Sequence, residues 1–143
     1  MSDHSGISVE YEGGDRFRMS VRGHSLLTDQ PIDSGGKDHG PTPTELFVGS
    51  LVSCMGFFAQ RFLRRNHLEA SGLELSATYE TSAERPYRVT SINVEIVVPA
   101  ATPDRLVEPL RRVIDACTVH NTLRHEPAVG LTIERPIIET AAG

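Results

Sequence analysis

Between Ile7 and Val21, apolar and polar positions alternate around a pair of glycines. Phe17, Met19 and Val21 alternate with Arg16, Arg18 and Ser20, and Gly13-Gly14 punctuates the run, which predicts a hairpin. From Leu27 to Pro43 the chain reads LTDQPIDSGGKDHGPTP, a stretch of turn residues without period, and so a loop. LELSATYE then places Leu73, Leu75, Ala77 and Tyr79 on one face of a strand. SINVEIVVP does the same with Ile92, Val94, Ile96 and Val98, and Glu84-Arg85-Pro86 between the two suits an antiparallel return. LTIERPII, from Leu131, reads as a late strand. Strands with one polar face predict antiparallel sheets packed on one side.

Two stretches carry the helical period instead. Thr42 followed by Pro43 and Glu45 is a Thr-x-x-Glu capping box with proline at the first helical position. Phe47, Leu51, Cys54, Phe58 and Phe62 form one stripe of the helix that follows. Gly49, Ser53 and Gly56 form a strip of small residues beside it, fit for close approach of another helix. Val48, Val52, Met55 and Phe57 extend the apolar surface, so this helix is expected at the centre of the fold. The second stretch, TPDRLVEPLRRVIDAC, repeats the cap-plus-proline start at Thr102-Pro103. Leu106, Leu110, Val113, Ile114 and Cys117 share its face, and Pro109 predicts a kink or restart near Glu108. TVHNTL begins a short third helix.

The 143 residues suit one α+β domain, residues 1–143, or one protomer of an intertwined oligomer. A net charge of −5 argues against nucleic acid, whose binding favours a basic face. The polar, acidic MSDHSGISVEYEGGD lacks the apolar core of a signal peptide, and no run of the length of a membrane span is read here. Two cysteines without a secretion signal point to a reducing cytoplasm, where thiols fill space, bind metal or do redox chemistry.

Cys54 and Cys117 each fall on an apolar helical face. Periodicity alone makes each of them a small buried hydrophobe. A metal needs more ligands: Cys117-x-x-His120 with Cys54 falls short of a zinc set, so neither metal nor cofactor is assigned.

Two segments change that weighting. GGKDHGPTPTELFVGSLVSC resembles the Gly-Gly … Pro-x-Glu-Leu … Cys segment of the OsmC/Ohr family of thiol-dependent hydroperoxide reductases, and VIDACTVHNTL resembles the segment around that family's second cysteine. The order of elements is similar over nearly the whole chain. The resemblance implies an OsmC-like fold, with antiparallel sheets around two central cysteine-bearing helices in an intertwined homodimer. It implies that Cys54 attacks an organic hydroperoxide, that Cys117 resolves the sulfenic acid as a disulfide, and that a dithiol reductant restores both. Cys54 lies too deep in its helix for the helix dipole to make a thiolate, so a cation must be supplied from elsewhere. The family uses a strand arginine held by a glutamate, which implies Arg16, with Arg18 as the other candidate, and Glu45 as the holder. The sequence departs from the best-known peroxide-reducing branches at Thr44, where they place the acid, and at Thr118, where they often have proline. It looks closer to a less-characterised OsmC-like branch.

The substrate pocket is expected at the dimer interface, lined by Phe47, Met55, Phe57 and Phe58, a wall that favours an organic or lipid hydroperoxide. His120 has two readings, a structural hydrogen-bonding residue or a proton donor to the leaving oxygen. His39 is left without a role. Two rival functions stand beside the peroxidase: a redox sensor, and a small-ligand binding protein without turnover.

Overall fold

The computed structural model describes residues 6–139. The predicted hairpin is β1 (Ser8–Tyr11) and β2 (Phe17–Val21), antiparallel with Val9 opposite Met19. A third strand, β3 (His24–Thr28), extends it through a tight turn in which Arg22 and Gly23 have φ of 49° and 80°. Both turn residues lie at positive φ, as a two-residue hairpin loop with the twist of its strands requires. This sheet packs little against the helices, so its alternating pattern does not resolve into a covered and an uncovered face.

The loop after β3 is tied together by Asp29, whose carboxylate is buried (1% exposed). Oδ1 accepts the Gln30 N–H at 2.8 Å, and Oδ2 accepts those of Lys37 and His39 at 3.3 and 3.0 Å. Burial works against its charge, yet the backbone donors prevail and hold the carboxyl below its ordinary range. Gly36 and Gly40 complete the loop: a Cβ at either would lie 2.0 Å from the carbonyl oxygen of Gln30 or of Leu27. A depressed pKa contributes stability that is present above the unfolded carboxyl's pKa and lost as pH falls through the folded one. Asp29→Asn is therefore expected to lower Tm at pH 7, since its amide presents hydrogens to at least one donor. The gap to the parent protein should narrow below about pH 4. Thermal melts of both proteins across that range check it.

Helix α1 (Pro43–Arg65) starts as the sequence predicts. Thr42 Oγ1 accepts the Glu45 N–H at 3.1 Å and Glu45 Oε1 accepts the Thr42 N–H at 2.8 Å. An 18-residue window of α1 has a mean hydropathy of 1.5, so by length and composition it could cross a membrane, contrary to the reading that no run is long enough. Part of its apolar surface packs in the fold. Leu51, Met55, Ala59 and Leu63 form a core with Leu110, Ile114 and Cys117. Strands β4 (Glu74–Thr81) and β5 (Val89–Val97) pair antiparallel, with Leu75 opposite Ile96 and Ala77 opposite Val94, and lay Leu75, Val94 and Ile96 on the same core. The small strip serves a strand rather than a helix: a Cβ on Gly56 would meet Leu75 at 3.4 Å, while Gly49 faces open space. Leu63 is fully enclosed, so Leu63→Ala is expected to cost about 2–5 kcal/mol in denaturant unfolding.

The second helical stretch is shorter than its period suggests. A 3-10 turn at Asp104–Leu106 precedes α2 (Val107–Asp115). The expected restart is there, and Pro109 falls in the first turn of α2, where its missing N–H costs nothing. Thr102 does not cap, and its hydroxyl is buried without a partner. Cys117 does not end a helix either; it is the N-cap of α3 (Thr118–Arg124).

The late strand is absent. Residues 126–139 carry no ladder, and Leu131, Ile133 and Ile137 stand in solvent. A strand is held by pairing its backbone groups, and within one chain this segment pairs with neither sheet.

Candidate functional site

Both cysteines are free. The packing of α1 against α2 and α3 brings them together from different parts of the chain. Cys54, half-buried on α1, lies against the cluster in which Cys117 is fully enclosed. Cys117 Sγ accepts the His120 backbone N–H at 3.4 Å, the N-cap contact of α3. Burial pushes the Cys117 thiol up; the backbone donors of His120 and Val119 oppose this, and the nearby Cys54 thiol adds to the rise. Two thiols this close can bond to each other, attack the same sulfur or share a proton.

A pocket of about 400 Å³ lies between α1, β5 and α3, and neither cysteine is among its lining residues. Phe47, Leu51 and Met55 of α1 form one wall and β5 another, while His120, Leu123 and Arg124 close the α3 side. Phe47 and Met55, two of the four residues expected around a pocket at a dimer interface, line this single-chain pocket; Phe57 and Phe58 do not. Phe57 packs edge-on to Phe58, and Arg61 stacks over it at 5.4 Å. The size and apolar lining suit a small organic molecule.

Arg16, Arg18 and Glu45 stand apart from the thiols. Arg16 donates to the Glu12 carbonyl at 3.2 Å. Arg18 pairs with the Glu12 carboxylate and donates to Ser25 Oγ at 3.2 Å. The hydrogen bond between Arg18 and Glu12 holds the Glu12 carboxyl below its ordinary range and raises Arg18. Among the described residues neither arginine hydrogen-bonds to Cys54, and Glu45 holds the backbone of Thr42 rather than an arginine.

Sequence reading missed Asp115 and Arg124. Arg124 Nη2 reaches Asp115 Oδ1 and Oδ2 at 2.9 and 3.0 Å, and His120 Nδ1 lies 3.5 Å from the same Oδ1. Asp115 ends α2 and the other two belong to α3, so no helical period links them. The only available signal was the density of charged residues around Cys117. No group of three or more potential metal ligands occurs among the described residues.

The sequence matches the family described as OsmC-like protein over residues 35–132. The chain belongs to the OsmC-like family. None of the curated proteins matches it. Solved structures agree on the fold. A Psychrobacter arcticus 273-4 protein ascribed to the osmotic stress and detoxification response superposes with a TM-score of 0.77 at 23% identity, over 85% of this chain and 90% of that one. An OsmC-like protein from Mycoplasma pneumoniae gives 0.75 at 15%, over 88% and 91%. An organic hydroperoxide resistance protein from Legionella pneumophila gives 0.65 at 13%, over 86% and 92%. The OsmC-like architecture here is α+β, with two antiparallel sheets and, among the described residues, three α-helices. Some structures that share it are organic hydroperoxide resistance proteins, and another is an OsmC-like protein of unknown function from Vibrio cholerae.

Proposed function

We propose that this OsmC-like protein is a thiol-dependent peroxidase that reduces organic hydroperoxides to alcohols. The observation that carries the reading is the meeting of its two free cysteines in one cluster, together with an apolar pocket lined by Met55, next to Cys54 in the chain, and by His120, whose backbone N–H meets Cys117. The Cys54 thiolate attacks the distal peroxide oxygen, the O–O bond breaks and the alcohol leaves. Cys117 then displaces water from the sulfenic acid to form a disulfide, which a cytoplasmic dithiol reduces. The half-buried Cys54 is the sulfur a peroxide can reach; the enclosed Cys117 is suited to the second step.

The working unit is a homodimer. Phe47 and Phe57, 41% and 49% exposed on α1, and the apolar residues from Val129 to Ile138 leave a large area uncovered in one chain. Association would cover it and give the first sheet a neighbour. Arg16 would then reach the partner's cysteine helix and stabilise the Cys54 thiolate, with Glu45 at the start of that helix orienting it. An opposite charge within about 4–6 Å lowers a thiol pKa by 1–3 units. Arg16→Ala is therefore expected to raise the pH of half-maximal iodoacetamide labelling at Cys54 by at least about one unit and to slow peroxide reduction at neutral pH. A shift seen only in Arg18→Ala would transfer the role to Arg18.

The test of the function is a thiol count before and after one equivalent of cumene hydroperoxide. Rapid loss of both thiols, reversed by dithiothreitol, is the expected result. Intact thiols would leave a ligand-binding protein. A disulfide that forms once and does not support turnover with a dithiol would mark a redox sensor. Light scattering at micromolar concentration reads the dimer.

A further inference from the structure

The polar end of the pocket has no part in the two-thiol chemistry set out above. His120 lines the pocket, and its backbone N–H is bonded to the very sulfur that must react second. Its Nδ1 is buried without a hydrogen-bond partner at good geometry, and the nearest acceptor is Asp115 Oδ1 at 3.5 Å. Asp115 is fixed in turn. Arg124 binds both of its carboxylate oxygens and also donates to its backbone carbonyl at 3.3 Å. A clamped carboxylate facing Nδ1 favours the tautomer with the proton on that nitrogen, which leaves Nε2 as the ring's acceptor.

The resolving step needs an acceptor. Cys117 is enclosed by Leu63, Leu110 and Ile114, and burial disfavours its thiolate. Sulfur attacks as the thiolate. The charged and titratable groups near this point are Cys54 from α1, Asp115 from α2 and Arg124 from α3; β5 presents Thr90, Ser91 and Ile92 to the pocket, none of which titrates there.

We propose that His120, oriented by the Arg124-clamped Asp115, accepts the Cys117 proton during disulfide formation. The reading rests on the redox pair proposed above. Cys117 Sγ–H gives its proton to Nε2, and the thiolate attacks the sulfur of the Cys54 sulfenic acid. The S–S bond forms and the S–O bond breaks. The departing oxygen takes the proton back from the imidazole and leaves as water. The Cys54 sulfur is reduced by the step and the Cys117 sulfur is oxidised, so no further reactant is needed.

The test separates two phases by rapid quench and mass spectrometry of the full chain: modification of Cys54, then loss of the second thiol. It is run between about pH 6 and 9 with cumene hydroperoxide and, separately, with diamide. Diamide first forms an adduct on Cys54, which Cys117 must displace in the same way. In His120→Gln the second phase is expected to slow at least about tenfold more than the first at neutral pH, with the deficit shrinking as pH rises. Asp115→Asn should slow the second phase by less, with the same pH dependence. A purely structural role would slow both phases by the same factor, or slow the second equally at every pH, and either result overturns the proposal. So does an unchanged second phase. If hydroperoxide gives no first phase, the peroxidase reading fails, and the diamide arm still decides the role of His120. Should His120→Gln not fold, His120→Asn is the second variant.

Discussion

Cys54→Ser is expected to abolish peroxide consumption, by about three orders of magnitude or more. Serine is close in volume, and position 54 is only partly buried, so folding stability should stay within about 1 kcal/mol of the parent. The chemistry does not survive the exchange. A serine hydroxyl stays protonated at neutral pH, and its oxygen cannot take up the peroxide oxygen as sulfur does. A ferrous-xylenol orange assay for residual hydroperoxide, with a thermal melt on the same sample, reads both effects. Consumption at the parent rate would remove Cys54 as the nucleophile. Consumption with loss of the Cys117 thiol would move the first attack to Cys117, against its complete enclosure.

Local rules reached α1 and the second sheet because each is specified by its own residues. Thr42, Pro43 and Glu45 carry a start signal that no distant contact need supply, and all three perform as read. Leu75, Ile92, Val94 and Ile96 alternate because one face lies on the core, and the register sets Leu75 opposite Ile96. Where the sequence misled, the deciding interaction was nonlocal. Leu131, Ile133 and Ile137 have strand character, but a ladder depends on a neighbour that one chain does not provide. The missed β3 depends on a tight turn at Arg22-Gly23, a weaker signal than Asn-Gly or Gly-Gly. Asp29 looked like one loop acid among several; its three backbone bonds exist only after the loop folds back on itself.

The site divides along the same line. Periodicity put both cysteines on apolar faces, and resemblance to a family put them in one reaction. Neither could foresee that Cys117 sits outside α2 as the cap of α3, since Leu110, Ile114 and Cys117 keep the helical spacing across the break. That break turns Asp115, His120 and Arg124 toward one another. Arg16 and Glu45, taken from the resemblance, occupy ordinary places in one chain, a turn and a helix cap. A catalytic duty for them depends on a second chain.

Cys117→Ser is expected to slow recycling sharply while leaving the first reaction intact. Serine is a good N-cap, so its hydroxyl can accept the His120 N–H and preserve the start of α3. A loss of activity would then report chemistry rather than unfolding. Without the second thiol, the Cys54 sulfenic acid persists. Excess hydroperoxide should carry it to sulfinic acid, which dithiothreitol does not reverse. Mass spectrometry should show that product on Cys54 alone, and turnover with dithiothreitol should fall by at least about tenfold, limited by slow direct reduction of the sulfenic acid. The parent protein supplies the pH control. Burial raises the Cys117 thiol, so its thiolate is scarce at neutral pH and grows as pH climbs toward the folded pKa. Disulfide formation in the parent should therefore accelerate with pH, whereas decay of the sulfenic acid in Cys117→Ser should lack that component. Normal turnover of the variant with dithiothreitol would show that Cys117 is not required for resolution. Loss of the first phase would assign it a part in the initial attack.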